Sequence, residues 1–385
     1  METKTIRSSN LELLRLICIF FIISNHFVGQ SGIYEGGSLG RCFFYASLNS
    51  LSRVACSVFI IISAWFSVNK KFKMMKLVHV WLTLIMYTVP ITVYLYFKGL
   101  AGKNDLLMAL FPFEYSQLWF AAYFIVLLLL MPLLNLFIKK APKNLVLFFL
   151  LWMFILQCLY STITRELGFF YHDIWPMIFI YVLTGYIRHY EIKIPKAKIA
   201  GLVFVIFLFL VTGACAIAAK RGMHLLAAYG ELYRARFQTI PNLLMAFSLF
   251  FFFLNVNVKQ SKIVNKLATT VLGIYCFHQV PIWYDYLWQN VFKANHYAEI
   301  LHGKTRMLYT LGVIVTVWGV GTIVELIRSK VAAILVENRQ YAKSICDAID
   351  GCVNGTGDGF NCNKLVCALT VGISLYFIIV RFIFL

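Results

Sequence analysis

The sequence predicts an all-α protein, a polytopic transmembrane helical bundle of about ten helices with one further candidate span at the C-terminal end. Three observations support this fold class. Of the 385 residues, 61% are hydrophobic and only 13% are charged, whereas a soluble domain is nearer half apolar and a quarter charged. The mean hydropathy is +0.78. Apolar runs of spanning length recur from end to end, which indicates many spans rather than a single anchor.

The predicted spans divide the chain into a long membrane domain and a short tail. Residues 1–330 form the membrane domain, 331–364 a Cys/Gly-rich cytoplasmic connection, and 365–385 the candidate extra transmembrane helix. Apolar runs of helical length predict ten spans in the membrane domain, at 11–29, 46–68, 77–98, 117–138, 144–163, 173–188, 199–219, 238–256, 267–288 and 308–328.

Lysine and arginine in the short loops predict the orientation of the bundle. Basic residues such as Lys4 and Arg7 precede the first span, and others follow every even-numbered span. Because cytoplasmic loops carry this bias, we expect a cytoplasmic N-terminus and a location in the cell (inner or plasma) membrane. The net charge of +19 then reflects orientation and contact with the lipid bilayer, and we expect no nucleic-acid partner.

The loop after the seventh span departs from this bias. It carries Lys220, Arg221, Arg234 and Arg236 on the side predicted to face outward. Either these residues form a functional basic patch there, or the loop is long enough to be exempt from the rule.

Four cysteines near the C-terminus raise the question of a metal site. Cys346, Cys352, Cys362 and Cys367 are separated by six, ten and five positions, and no histidine lies nearby. These spacings fit no familiar zinc pattern, so we expect no metal.

The first span carries polar residues that a lipid-facing helix would not need. Its sequence, LELLRLICIFFIISNHFVG, contains Glu12, Arg15, Asn25 and His26. A charge at the bilayer centre costs roughly 2.5–3.5 kcal/mol on the most lenient scale, so such residues often mark function. Arg15 and His26 are eleven positions apart, which places them on one helical stripe about 16 Å apart, with Glu12 on the same face.

Two roles stay open for each member of this pair. Arg15 is either an interfacial side chain that orients the protein and pairs with Glu12, or a group that binds phosphate of a cytoplasmic ligand. His26 is either a polar contact between helices or a base that abstracts a proton. Because both residues lie on one stripe, we favour the functional interpretation.

The spacing in the first span resembles a family signature. Arg15, ten intervening residues and His26 match the Arg-x10-His pattern in the first helix of the acyltransferase family 3 membrane proteins, which modify cell-surface glycans in bacteria. Four more stretches are similar to family segments, in the same order over residues 10–330: IISAWFSVNKKFKMMK (61–76), QLWFAAYFIVLLLLMPLL (117–134), YVLTGYIRHY (181–190) and GIYCFHQVPIW (273–283).

The chain departs from the family pattern in two places. Ala64 stands where glycine is usual, and Lys73 and Lys76 stand where a pair of arginines is expected. Lysine keeps the charge but loses the bidentate fork, which weakens the expectation that this pair grips phosphate. We expect no tethered extracytoplasmic esterase domain, so any such partner would be a separate protein or unnecessary.

The resemblance implies a membrane O-acyltransferase. It would pass an acyl group, usually acetyl, from cytoplasmic acyl-CoA to a hydroxyl of a cell-surface carbohydrate, either directly or through an acyl-histidine. Carried over by position, His26 would be the catalytic base or acyl handler, and Arg15 would hold the CoA phosphates or orient His26. The donor would also bind Ser63, Lys73 and Lys76, and the supporting cavity residues would be Glu12, Asn25, Trp119, Tyr123, Tyr275 and His278. Expected partners are the carbohydrate acceptor and polysaccharide-assembly proteins.

Several of these residues also have a purely structural interpretation. Trp119 and Tyr123 suit an aromatic belt at the membrane boundary as well as an oxyanion site. Ser63 suits helix packing, and Tyr275 with His278 suits a hydrogen bond between helices as well as a cavity wall. On the last family helix, Glu325 and Arg328 are three positions apart and are expected to pair with each other.

Other functions stay open. A secondary transporter or flippase of a glycan or small anion would also use buried His, Arg and Glu, but the sequence shows neither internal repeats nor paired broken helices. An unrelated membrane acyltransferase class built around an Asn…His pair would need a longer and more central histidine region, and a scaffold would have no use for the polar stripe. The sequence does not identify the acceptor. The candidates are capsular or exopolysaccharide, O-antigen, teichoic or peptidoglycan sugars, and macrolide-like small molecules.

Overall fold

The protein is helical throughout the described part of its chain. The computed structural model describes residues 8–33, 38–112, 118–164, 172–221, 223, 236, 238–356 and parts of 362–382. The chain is about 85% helical, and the described residues contain no strand, so the fold class is all-α as predicted. The candidate extra span at 365–385 lies mostly outside the described residues, and Lys4, Arg7 and Arg234 lie wholly outside them.

The described helices follow one another in chain order. The N-terminal part contains α1 (Ser9–Ser31), α2 (Leu39–Ser67), α3 (Met74–Phe97), α4 (Lys103–Ala109), α5 (Trp119–Lys140), α6 (Lys143–Met153), α7 (Tyr160–Thr164), α8 (Ile174–His189) and α9 (Ala197–Arg221). The C-terminal part contains α10 (Ile240–Asn255), α11 (Lys262–Leu267), α12 (Val271–Gln279), α13 (Trp283–Asp285), α14 (Ala294–Ile300), α15 (Gly303–Ala332) and α16 (Gln340–Val353). A π-helical turn joins α6 to α7, and others follow α13 and α15.

Every predicted span coincides with helical residues. Among the described residues, seven helical segments are long and apolar enough to cross a membrane, when α6, its π-helical turn and α7 are counted as one segment. Helix α10 is apolar but shorter. Length and composition therefore support a multi-pass membrane protein.

The ninth predicted span, 267–288, is not one continuous helix, which corrects the prediction. Helix α12 ends at Gln279, Val280 is extended (φ −59°, ψ 130°), and Ile282 has a φ of 62° before α13 begins. Pro281 explains the break, because its ring biases the preceding residue towards extended backbone and its nitrogen has no hydrogen to donate to a helix. The chain therefore turns between α12 and α13.

Helices α1 and α2 form the centre of the bundle. In their most apolar windows, 61% of α1 and 67% of α2 is buried, against 28% for α9 and 33% for α5. Helix α1 packs along α2 and also contacts α10, α12 and α15. Large exposed apolar side chains lie on the outer helices, for example Phe209 on α9 and Leu308 on α15, where they suit contact with lipid tails. Most of the surface of α1 is therefore packed against other parts of the protein.

A buried ion pair ties α15 to α3. Arg328 donates from Nε to Glu325 Oε2 and from Nη2 to Glu325 Oε1, each at 2.7 Å, which confirms the predicted pairing. Tyr87 on α3 donates its hydroxyl to Glu325 Oε2 at 3.0 Å. Helix α12 makes room for the carboxylate at Gly273, where a Cβ atom would overlap it. Each charge thus has close partners, as a charge removed from water requires.

The segment after α15 is more ordered than a simple connection. The chain stays helical through the π-helical turn Ala333–Glu337 and then forms α16. At the end of α16, Asn354 forms hydrogen bonds with the backbone of Phe72, in the loop between α2 and α3. Cys352 and Cys362 form a disulfide. The predicted connection 331–364 therefore contains a helix that docks on the membrane domain.

Candidate active site

A polar cavity of about 340 Å³, here called the central cavity, lies between α1, α2, α5 and α12. It collects six of the residues that the sequence analysis singled out, together with residues that it did not. The polar and aromatic lining includes Arg15, Asn25 and His26 of α1, Ser52, Arg53 and Ser63 of α2, Trp119 of α5 and Tyr275 of α12. Arg15 and His26 thus line the same cavity. Their catalytic roles stay predictions.

Two side chains from the end of α12 hold His26. His26 Nδ1 lies 3.0 Å from His278 Nε2 and 2.8 Å from Gln279 Nε2. On its other side, His278 Nδ1 lies 2.6 Å from the carbonyl oxygen of Ile274. His278 is fully buried and lies behind His26. It contacts His26 from the protein side and does not itself line the central cavity.

The contact with His278 assigns the hydrogen of a neutral His26 ring to one of its two nitrogens. A carbonyl oxygen can only accept, so His278 Nδ1 carries a hydrogen, and the Nε2 atom of the neutral ring is then an acceptor. His26 Nδ1 must donate to that acceptor, which leaves a lone pair on His26 Nε2. The Gln279 amide is placed with Nε2 towards His26 Nδ1. This network requires the opposite amide orientation, with the oxygen towards His26, and amide orientation is assigned from hydrogen bonding. An unprotonated Nε2 is the form that a general base requires.

Aromatic rings enclose the histidine pair. The ring of Tyr284 meets His26 edge-on with the ring centroids 5.8 Å apart, and Trp288 meets His278 in the same way at 6.4 Å. Trp288 is fully buried. This wall keeps bulk water away from the hydrogen bonds between the two imidazoles, which strengthens them.

Two further cavities adjoin the central cavity in a row. The lysine cavity, about 340 Å³, is lined by Lys70, Lys71, Lys73, Lys76, Lys139 and Lys140 among others. The bridging cavity, about 470 Å³, shares Arg15, Ser63, His79 and Phe124 with the central cavity and Ser67, Lys76 and Leu128 with the lysine cavity. Among the described residues that line the lysine cavity, none is acidic. Its six lysines make it a strong attractor for anions.

Arg15 lies where the central and bridging cavities meet. Its Nη1 donates to both carboxylate oxygens of Glu12 at 3.0 Å. Glu12 is 5% exposed and compensates the charge of the arginine inside the bundle. Arg15 therefore borders two interior cavities while it makes the ion pair that the sequence suggested.

Arg53 is a candidate site residue that was not identified from the sequence. It lies in the middle of α2, lines the central cavity and stacks on Trp119, with its guanidinium carbon 5.1 Å from the ring centroid. The sequence does carry a signal, because an arginine inside the predicted span 46–68 is costly unless it has a partner or a function. This contact also gives Trp119 a position inside the site.

A second polar group lies beside Arg53. Asp173, which immediately precedes α8, is half-buried and interacts electrostatically with Arg53 and Arg236. Burial lowers the pKa of Arg236. The hydroxyl of Tyr123 lies 3.3 Å from Nδ1 of the neighbouring His172. Tyr123 thus joins this group and does not line the central cavity.

His79 is a further cavity residue that was not identified from the sequence. It lies on α3, lines both the central and the bridging cavity, and its Nδ1 is 2.6 Å from Glu337 Oε1. The two residues are 258 positions apart, so no local pattern could have revealed the contact.

The central cavity combines groups suited to proton transfer and to stabilising negative charge. His26 carries an imidazole, Arg15 and Arg53 carry guanidinium groups and Trp119 an indole N–H, and all four residues line the same space. Transfer of an acyl group to a hydroxyl needs this combination, a base for the hydroxyl proton and donors for the developing oxyanion. Among the described residues, no group of three or more His, Cys, Asp or Glu side chains is arranged to hold a metal ion.

The comparison with protein families covers most of the chain. The family model Acyl_transf_3, described as an acyltransferase domain, matches residues 8–325. No curated protein and no solved structure matches the chain. The matched region contains every residue that lines the central cavity and ends inside α15. The chain therefore belongs to acyltransferase family 3 and is a membrane acyltransferase.

Proposed function

We propose that the protein is an O-acyltransferase that passes an acyl group, with acetyl as the first candidate, from cytoplasmic acyl-CoA to a hydroxyl of a cell-surface carbohydrate. One observation carries this proposal. The lysine, bridging and central cavities lie in a row that begins at six lysines and ends at His26. Such a row suits a donor that has an anionic end, a long arm and a reactive tip.

The charge distribution supports acyl-CoA as the donor. The nucleotide of CoA carries a diphosphate and a 3′-phosphate, and ammonium groups bind phosphates well as point charges. We assign the nucleotide to the lysine cavity, with Lys73 and Lys76 among its ligands, and the pantetheine arm to the bridging cavity. The thioester then reaches the central cavity, and Arg15 lies beside the path at the entrance to it.

The hydrogen bonds of His26 support its assignment as the base. In the proposed reaction, His26 Nε2 takes the proton of the acceptor hydroxyl as its oxygen attacks the thioester carbon. The resulting oxyanion is stabilised by the nearby cationic and N–H groups, for which Arg53 and Trp119 are the candidates. The thiolate of CoA then leaves and takes the proton back from His26. An acyl-His26 intermediate followed by transfer to the hydroxyl stays an alternative route.

The loop charges support the orientation in this scheme. The lysine cavity is built from the basic loop between α2 and α3 and from the basic end of α5. Both belong to the loops that we assign to the cytoplasm, where acyl-CoA is available. The acceptor then enters from the other side of the membrane, where Arg53, Asp173 and Arg236 lie near the central cavity.

Acyl transfer by the purified full-length protein in lipid nanodiscs tests the proposal. We expect the wild-type protein to release CoA from acetyl-CoA, and His26→Gln to release it at least about 100-fold more slowly, because a general base contributes about 10²–10⁴-fold. His296→Gln changes an exposed histidine away from the cavities and is the matched control. Equal rates for His26→Gln and the wild type would contradict the role of His26.

One observation favours a transporter or flippase as the second candidate. The ninth predicted span is broken after Gln279, and broken helices frame the substrate sites of many transporters. The two functions differ in their product. An acyltransferase adds O-acetyl groups to the surface glycan, which NMR detects in the wild-type strain and not in a deletion strain. A transporter would leave the acetyl content unchanged and would not consume acetyl-CoA.

A further inference from the structure

The chain beyond the family match contributes to the donor cavities. The match ends at residue 325, whereas helical structure continues through the π-helical turn Ala333–Glu337 and α16. We call residues 326–356 the C-terminal extension. It touches the membrane domain at α3 and at the loop before α3, the two elements that supply His79, Lys73 and Lys76.

The first contact fixes the orientation of His79. Glu337 Oε1 accepts a hydrogen bond from His79 Nδ1 at 2.6 Å, which leaves Nε2 as the ring nitrogen that can bind a ligand. Both residues line the bridging cavity, and His79 also lines the central cavity. His79 therefore lies on the path between Lys76 and His26. The amide groups of the pantetheine arm offer both N–H donors and carbonyl acceptors, so they can form a hydrogen bond with Nε2 whether it accepts or donates.

The second contact caps α3 and fixes the basic loop. Met74 is the first residue of α3, and its N–H donates to Asp350 Oδ1 at 2.6 Å. Lys73, at the N-cap position, makes no side-chain capping bond of its own, so the carboxylate of Asp350 serves as the cap for this terminus.

Asn354 adds a two-way bond on the other side of Lys73. Its Oδ1 accepts from Phe72 N at 2.9 Å and its Nδ2 donates to Phe72 O at 3.1 Å. Asn354 and Val353 also form part of the wall of the lysine cavity. The backbone on both sides of Lys73 is thus held by the extension, and the lysine side chains start from a fixed base.

We propose that the C-terminal extension is a donor-positioning element, in which Glu337 orients His79 as a ligand of the pantetheine arm and Asp350 with Asn354 holds Lys73 and Lys76 against the nucleotide phosphates. The proposal rests on acyl-CoA as the donor. It assigns His79 to the donor site and gives Glu337, Asp350 and Asn354 positioning roles outside the family region.

Two donors separate the two halves of this element. Acetyl-CoA carries both the arm and the nucleotide, whereas acetyl-pantetheine carries the arm alone. With full-length protein in nanodiscs, we expect Asn354→Ala to raise KM for acetyl-CoA about tenfold, the equivalent of one or two lost hydrogen bonds, and to leave KM for acetyl-pantetheine unchanged. Glu337→Gln and His79→Gln should raise KM about tenfold for both donors, with kcat nearly unchanged.

The double variant His79→Gln/Glu337→Gln tests whether the two residues act as one unit. If Glu337 acts through His79, the double variant should be no worse than His79→Gln alone. Lys343→Gln, on the exposed face of α16, is the control and should match the wild type with both donors. Turnover of acetyl-pantetheine by Asn354→Ala also shows that this variant is folded.

The outcomes separate this inference from the proposed function. Wild-type KM values for all three single variants, in a protein that does turn over acetyl-CoA, overturn the positioning role and leave the acyltransferase intact. Equal losses with both donors for Asn354→Ala overturn the nucleotide half, since a general loss of structure would act in that way. A wild-type protein that turns over neither donor overturns both proposals.

Discussion

His278 determines the chemical state of His26 in the proposed reaction. It is anchored at 2.6 Å to the carbonyl oxygen of Ile274 and meets His26 Nδ1 at 3.0 Å. A buried acceptor that orients a catalytic histidine is the role that a carboxylate fills in hydrolase triads. A neutral imidazole fills that role without adding a charge inside the membrane, where a carboxylate costs roughly 2.5–3.5 kcal/mol or more.

Replacing His278 with phenylalanine should therefore impair catalysis more than donor binding. The phenyl ring keeps most of the volume but offers no acceptor to His26 Nδ1. The side-chain amide of Gln279 is then the remaining partner of Nδ1, and because it can turn to donate its N–H to Nδ1, His26 can take the inactive tautomer. We expect kcat to fall by at least about tenfold, because a wrong tautomer costs up to about 10⁴-fold in hydrolases, with little change in KM for acetyl-CoA. Phe277→Leu, one position earlier on α12, is the control, since Phe277 packs on Trp283 away from His26. A higher KM with normal kcat would contradict the orienting role.

Local periodicity explains what the sequence could reveal about single residues. Arg15 and His26 belong to one helix, so their spacing alone placed them on a common stripe. The partner of His26 lies 252 positions away and depends on where α12 packs and ends, which no local pattern contains. Arg53 differs, because an arginine inside an apolar span is itself a sign of a partner or a function that the sequence contains.

At the scale of helices, proline alone does not determine where a span breaks. Pro90 and Pro132 lie inside α3 and α5, which continue past them, whereas the chain turns at Pro281. A proline removes one hydrogen bond, and neighbouring groups decide whether the helix continues. Hydropathy therefore predicted all ten helical regions but not the break in the ninth, because proline also lies inside α3 and α5 without ending them.

The packing of α12 against α15 depends on a single missing side chain. At Gly273, an added Cβ would overlap the carboxylate of Glu325, which is held between Arg328 and Tyr87. We expect Gly273→Ala to lower the free energy of unfolding by about 1–3 kcal/mol, as overpacking does, and to lower the melting temperature in detergent. Gly312→Ala is the matched control on α15, because its Cβ would meet no atom within 4 Å. Equal melting temperatures for the two variants would show that α12 and α15 can separate freely here.

At the scale of the whole molecule, the three cavities combine residues from distant parts of the chain. Helix α1 supplies Arg15 and His26, the loop before α3 supplies lysines, and the C-terminal extension supplies Glu337 and Asn354. Composition and loop charge predicted the bundle and its basic end. They could not predict that residues beyond the family region close the lysine cavity, because that contact joins Asn354 to Phe72 across 282 positions.

The concentration of positive charge at one end of the cavity row predicts salt-dependent donor binding. Six lysines line the lysine cavity, and the Debye length falls from about 10 Å at 0.1 M salt to about 3 Å at 1 M. We expect KM for acetyl-CoA to rise steeply with salt, and KM for acetyl-pantetheine, which lacks the phosphates, to stay flat. Charge reversal at Lys76 (Lys76→Glu) should raise KM for acetyl-CoA more than about tenfold and weaken its salt dependence. Lys304→Glu, an exposed change at the start of α15, is the control, and an equal effect there would mean that overall charge, rather than the lysine cavity, attracts the donor.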